Sequence, residues 1–257
     1  NMTLFNEGVS GTGHTWCSGH FILYGLTGER RYLETGCKIA DRLAQGTTDF
    51  QYYAERNIGW PIVALMGAHG TSSNPFYING AKLMADMAMW TQSPDTGGWG
   101  HWIDTNECRH GARCWGCKTF MTGVLLHGLK LYDLVEPRAD IRQTILRNCD
   151  FVWRTCFVPK DSGFIYSECL NRRGRGNPDT FCIIGDGLAY GCRLDPAQRH
   201  RESLRQAAMG YFYESSVKDS GKPLSCATCF MPLMLYDLHA LGLSRFPSIG
   251  KNKSSNE

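Results

Sequence analysis

The feature that most constrains this chain is a two-part unit that recurs along it. The first part is an apolar segment carrying Gly: HTWCSGHFILYGLTG, RNIGWPIVALMGAHG, KTFMTGVLLHGLKLYDL, TFCIIGDGLAYGCRL and, last, CATCFMPLMLYDLHALGL. The second part follows a short polar break: RRYLETGCKIADRLAQ, PFYINGAKLMADMAMW, ADIRQTILRNCDFVWRT and QRHRESLRQAAMGYFY. In the second parts, apolar residues recur at three- and four-residue spacing. Leu33, Cys37, Ala40 and Leu43 form one stripe, and Ile141, Ile145, Cys149 and Val152 another. Such helices keep one face in water. The first parts are apolar nearly all round, which implies burial on most sides. Their glycines, among them Gly67, Gly123, Gly128 and Gly187, lower helix propensity but let neighbouring helices come close. The breaks LTGER, GTSSNP, VEPRA and LDPAQ carry the usual helix punctuation.

The plan is therefore inner helix, turn, outer helix, repeated. Units that cannot bury their faces alone stack into a cooperative array. The expected fold is all-α, an α/α toroid of about four and a half hairpins over residues 1–245, with a disordered tail at 246–257. That number suits either an open arc or a ring completed by further sequence. Two connections are long, Ser93 to Lys118 and Val158 to Asp179. Each runs from an outer-helix end to an inner-helix start, so both should lie at the ring end that holds Gly11 to His20. Either is long enough for a short β-hairpin, and Trp99, Trp102 and Trp115 in the first argue for order.

Composition excludes more than it selects. An apolar fraction of 42% belongs to a globular protein, and a net charge of +3 without a concentrated basic face does not suit a nucleic-acid binder. The densest basic run, NRRGRGN, reads as a solvated loop or, alternatively, as a contact for an acidic sugar. No stretch approaches the roughly 20 apolar residues that span a bilayer. The chain shows neither an initiator Met nor a signal-peptide pattern, so it is read as a mature form or a fragment of a longer protein, and its compartment stays unassigned. Twelve Cys is many, but a disulfide scaffold would be shorter and denser.

The inner-helix starts collect the residues that core packing does not call for. They are His14, Trp16 and His20; Arg56, Asn57 and Trp60; Lys118 and Phe120; Asp179, Phe181 and Asp186; and Cys226 and Cys229. In a toroid these starts converge on one mouth. Aromatic faces there would stack on sugar rings, charged groups would bind hydroxyls or carboxylates, and helix N-termini favour anions. The plain alternative is that Trp60 and Phe120 pack the core and Arg56 pairs with Glu55 or Asp49. His14 and His20 are six residues apart, about 600° of helix, so both face the mouth only if His14 precedes the helix.

Other chemistry is less well supplied. CRHGARCWGC offers Cys108, His110, Cys114 and Cys117, which with His101 have zinc-like spacing; disulfides and buried thiols are the competing readings, and no metal or cofactor is assigned. Neither a P-loop nor a GxSxG elbow occurs. Carboxylate pairs for glycoside hydrolysis would come from Asp179, Asp186, Glu168 and Asp104, with Asp179 better read as a helix cap.

The His-Thr-Trp helix opening, the LTG-x-x-x-YL turn, the Arg followed by Gly-Trp-Pro, and the KTFMTG-x-LL helix together carry a resemblance. From Gly11 to Cys156 the chain resembles the α/α-toroid domain at the C-terminal end of rhamnogalacturonan exolyase-like proteins. More broadly it is similar to toroid polysaccharide lyases and six-hairpin glycosidases. The resemblance implies β-elimination on an acidic, pectin-like glycan, with no nucleic-acid or membrane partner. Arg56, Arg113 and Lys118 suit neutralisation of the uronate carboxylate. His14, His20, His101 or Tyr166 suit proton transfer, neutral His titrating at about 6.5. Trp16, Trp60, Trp99 and Trp102 would be sugar platforms. A six-hairpin hydrolase and a non-catalytic glycan- or protein-binding helical repeat remain the alternatives.

Overall fold

The computed structural model of the chain describes residues 16–45, 54–103, 114–169, 174–214 and 221–243. The described residues form nine helices: α1 (Ser18–Thr27), α2 (Arg30–Gln45), α3 (Ala54–Ser72), α4 (Pro75–Thr91), α5 (Thr119–Val135), α6 (Ala139–Thr155), α7 (Phe181–Leu194), α8 (Arg201–Glu214) and α9 (Gly221–Ala240). Helix ends follow the punctuation. Gly28 closes α1 in the left-handed conformation at φ 69° and returns its N–H to the Tyr24 carbonyl. Asn74 caps α4 by accepting the Phe76 N–H at 3.0 Å, with Pro75 in the first turn.

The odd-numbered helices make the inner layer. α1 packs on α3, α3 on α5, α5 on α7 and α7 on α9, while α2, α4, α6 and α8 cover them from outside. Close approach is built in at glycines. A Cβ on Gly59 of α3 would lie 2.8 Å from the Leu125 backbone of α5, and one on Gly123 of α5 would lie 2.8 Å from the Ile184 backbone of α7. Both expected stripes face the core: Ile141, Ile145, Cys149 and Val152 are buried, and Leu33 and Cys37 pack against it beside buried Ala40 and Leu43. The expectation that every inner helix is buried on most sides fails at the arc's first member. α1 packs on α2 and α3, and its remaining face leaves Ile22 and Leu26 at 60% and 78% exposure. Among the described residues no helix is long and apolar enough to cross a membrane.

The long connections do hold strands. In the first, β1 (His101–Ile103) pairs antiparallel with β2 (Cys114–Lys118). In the second, β3 (Phe157–Val158) pairs with β4 (Gly163–Phe164), and β5 (Ser167–Cys169) crosses over to pair with β2. The two connections thus form one three-stranded sheet in the order β1-β2-β5. Its last strand register, Lys118↔Ser167, leads directly into α5.

The deepest polar feature lies among α5, α7 and α9. The Lys130 ammonium donates to Asp186 at 2.5 Å and to Asp237 at 2.7 Å. His127 Nδ1 meets the other Asp186 oxygen at 2.6 Å, and Arg193 pairs with the other Asp237 oxygen. Burial alone would raise the Asp186 carboxyl, but the His127 hydrogen bond and the Lys130 charge hold it below the ordinary carboxylate range. A carboxyl depressed in the folded state adds stability that is present above its unfolded value and lost as pH falls through the folded one. Urea unfolding should therefore show this contribution intact at neutrality and fading below about pH 4. Replacing Lys130 by Met leaves two carboxylates short of a buried cation and should lower unfolding stability by about 3–5 kcal/mol at neutral pH.

Candidate functional site

The outer helices return the chain, so the inner-helix N-termini gather at one end, together with the β1-β2-β5 sheet. Trp16 precedes α1 and stands 44% exposed, with its ring 5.6 Å from that of Trp60 in α3. Trp60 is 6% exposed and meets Phe230 of α9 at 6.0 Å. Phe230 in turn lies edge-on to His127 at 4.6 Å. This aromatic column fills the space between the inner helices and gives the mouth a floor. Trp60 is therefore core packing and floor at once, with Trp16 the face left open to solvent.

Glu55 and Arg56 occupy the first turn of α3. Glu55 is fully buried, and both its oxygens meet His101 Nδ1 of β1, at 3.1 and 3.2 Å. Glu55 is thus paired with a buried imidazole, and Asp49, the other partner expected for Arg56, lies outside the described residues. Strand alternation places the rest. His101 stands opposite Gly116, and Lys118 is two residues further along β2, so His101 and Lys118 share one sheet face; both are buried. At the α5 start, the Thr119 N–H donates to the Tyr166 carbonyl at 3.2 Å and the Thr119 hydroxyl to the Ile165 carbonyl at 2.7 Å. That fixes Tyr166, an exposed ring stacked 5.0 Å from Phe120. His20 of α1 is half-buried, and its Nδ1 is buried with no hydrogen-bond partner among the described residues. A buried orphan nitrogen of this kind calls for a water or a ligand group.

Several expected roles change. Trp99 is not a platform: it is 1% exposed in the core and its indole N–H donates to the Ala88 carbonyl at 2.8 Å. Trp102 and Trp115 are exposed and edge-to-face at 5.4 Å, but on the sheet face turned away from His101. The N-cap position of α7 is Thr180, one residue after Asp179, and Asn177 caps the 3-10 turn before it by accepting the Asp179 N–H at 2.9 Å. Asp186, a candidate for hydrolysis, is committed to His127 and Lys130. The Cys114/Cys117 zinc pair is separated by strand geometry, because a three-residue step along an extended strand puts side chains on opposite faces. Cys114 packs with Ile103 and Cys169, whereas the Cys117 sulfur lies 3.9 Å from that of Cys156. Among the described residues, no three His, Cys, Asp or Glu side chains are grouped to hold a metal. His14, Asp104, Cys108, His110, Arg113 and the tail 246–257 lie outside the described residues, as do the side chains of Glu168 and Cys226.

The expected residues thus lie at the inner-helix starts and beside them: His20 in α1, Arg56 in α3, His101 and Lys118 on one face of the sheet, and Tyr166 in the loop before β5, with Trp16 and Trp60 at the α1 and α3 starts. Glu55 was missed as a site residue. Its signal was available, since an acid in the first turn of an apolar helix is well placed at the positive end of the dipole, but its partner is 46 residues away.

No protein-family model matches the chain, and no curated protein matches it. A solved structure described as UGL does, in an aspartate-to-asparagine variant with dGlcA-Glc-Rha-Glc. The TM-score is 0.62 at 14% identity, over 93% of this chain and 74% of that one. UGL is unsaturated glucuronyl hydrolase, a six-hairpin α/α toroid. At that identity the likeness speaks for the fold, and the fold of this chain is an α/α toroid.

Proposed function

We propose that this chain is a carbohydrate-active enzyme that cleaves an acidic, rhamnogalacturonan-like glycan by β-elimination. What supports the reading is the placement of the open Trp16 face, Arg56, Lys118 and the Glu55-paired His101 at the inner-helix starts and in the sheet beside them. Trp16 receives the apolar face of a pyranose, with Trp60 behind it. Arg56 and Lys118 neutralise the uronate carboxylate, which makes the proton on C5 acidic. His101 takes that proton: the C5–H bond breaks, an N–H bond forms, and the electron pair left on C5 becomes the C4=C5 double bond as the C4–O bond breaks. Tyr166 gives its hydroxyl proton to the departing oxygen. The product carries an unsaturated uronate and a new reducing end. His14 and Arg113, expected from the resemblance, stay in this proposal as further proton-transfer and carboxylate-binding groups.

Hydrolysis is the second reading, supported by the name of the solved structure that shares the fold. It needs two carboxyl groups about 5–10 Å apart across the substrate. Glu55 would be one, but it is already engaged by His101.

Absorbance near 235 nm, read on rhamnogalacturonan oligosaccharides beside a reducing-end assay, separates the readings. β-Elimination raises both signals; reducing ends without absorbance mean hydrolysis; silence in both leaves a binding module. Arg56→Ala should lower kcat/KM by about 100-fold or more, the loss expected for a group that stabilises developing charge. Trp16→Ala should act mainly on KM, because a stacking platform binds ground state and transition state alike, and it should leave thermal stability nearly unchanged at this exposed position.

A further inference from the structure

We propose that Glu55 is the positioning residue of the site: it holds His101 as the Nδ1–H tautomer and so makes Nε2 the nitrogen that exchanges a proton with the glycan. The inference rests on the elimination reading and adds a residue and an atom to it. A carboxylate only accepts hydrogen bonds, so the ring nitrogen that faces it must carry the proton. That nitrogen is Nδ1, 3.1 and 3.2 Å from the two Glu55 oxygens. The lone pair of the neutral ring is then on Nε2, at the far edge of the imidazole, an atom that is itself buried and that the glycan must uncover to reach.

Both partners are held by rigid elements. Glu55 is fully buried in the first turn of α3, where the helix dipole suits an acidic side chain. His101 sits in β1, paired with Gly116, and its same-face neighbours Ile103 and Cys114 are buried with Cys169. Next to it, a Cβ on Gly100 would lie 2.4 Å from the Trp115 indole nitrogen, so this indole packs on the strand backbone and restrains the hairpin. When Nε2 takes the C5 proton, the imidazolium that results lies against the carboxylate, which stabilises it without any rearrangement. A carboxylate that orients a His and fixes its tautomer acts through that His and does not itself touch substrate.

The test uses the full chain labelled with ¹⁵N, comparing wild type with Glu55→Gln and Glu55→Asp. Long-range ¹H–¹⁵N spectra of the histidine rings report the tautomer, with His101 assigned by the peaks lost in His101→Gln. Turnover is read at 235 nm on rhamnogalacturonan oligosaccharides, and melting curves confirm that each variant is folded. The expected result is Nδ1–H for His101 in wild type, loss of that single tautomer in Glu55→Gln, and a kcat lowered at least tenfold with KM within about twofold. Glu55→Asp, which keeps the carboxylate, should keep the tautomer and recover part of kcat. An Nε2–H ring in wild type overturns the proposal, and so does a folded Glu55→Gln variant with wild-type kcat. A wild type with the stated tautomer but no 235 nm signal sinks the elimination reading and leaves the pair a structural latch, which also overturns the catalytic assignment.

Discussion

Lys130 lies between Asp186 and Asp237, and Arg193 answers the second aspartate from the other side. Two cations and two anions, with His127 at one end, thus balance where Lys130, Asp186 and Asp237 are buried. Burying these charges singly would be very costly, so α5, α7 and α9 are stable only in the arrangement that brings them together. The cluster reaches further through Tyr190, whose ring lies 5.6 Å from the Lys130 ammonium and whose hydroxyl donates to Asp133 at 2.6 Å. Burial and the Asp133 carboxylate both push that phenol up, so it stays a donor across the working pH range. Asp133 also accepts from Arg142 of α6, which ties the outer layer to the same set of charges.

The consequences extend from this cluster through His127 toward the inner-helix starts. Phe230 is carried on α9 by the same register that delivers Asp237, and it plugs the space between Trp60 and His127. On the proposed reading, a plugged centre leaves ligand chemistry to the mouth, where the helix starts and the sheet meet. There the sheet contributes His101 to face Glu55 and Lys118 on the same side, and the loop before β5 contributes Tyr166, its backbone held by Thr119. The division of labour is physical. Helices packed through Gly59 and Gly123 give a stiff frame, and short strands with fixed register aim the polar groups.

Much of this was legible in the residues. Periodicity separated inner from outer helices correctly throughout the described chain, because an amphipathic stripe and an all-round apolar surface are different solutions to the same burial problem. The breaks LTGER and GTSSNP were legible as helix punctuation, and they hold the Gly28 turn and the Asn74 cap of α4. The mouth was legible as a list of residues that the core did not need. What periodicity cannot show is pairing across distance. β5 lies far along the chain from β2, so nothing local announced the three-stranded sheet. Trp99 and Trp102 look alike in sequence, yet Trp99, in the loop before β1, fills the core and bonds Ala88 of α4, while Trp102 stands on the outward face of β1.

The sequence by itself determined the helix count, the order of layers and the end of the toroid where unusual side chains collect. These follow from local patterns of apolar residues, glycine and helix caps, which act over a few residues. Only the tertiary structure decided which of those side chains meet. Glu55 finds His101, Cys117 nears Cys156, and Asp186 turns inward to Lys130. Each choice is made by electrostatics and strand register between segments far apart in sequence, and such pairings exist only once the inner helices have closed on one another.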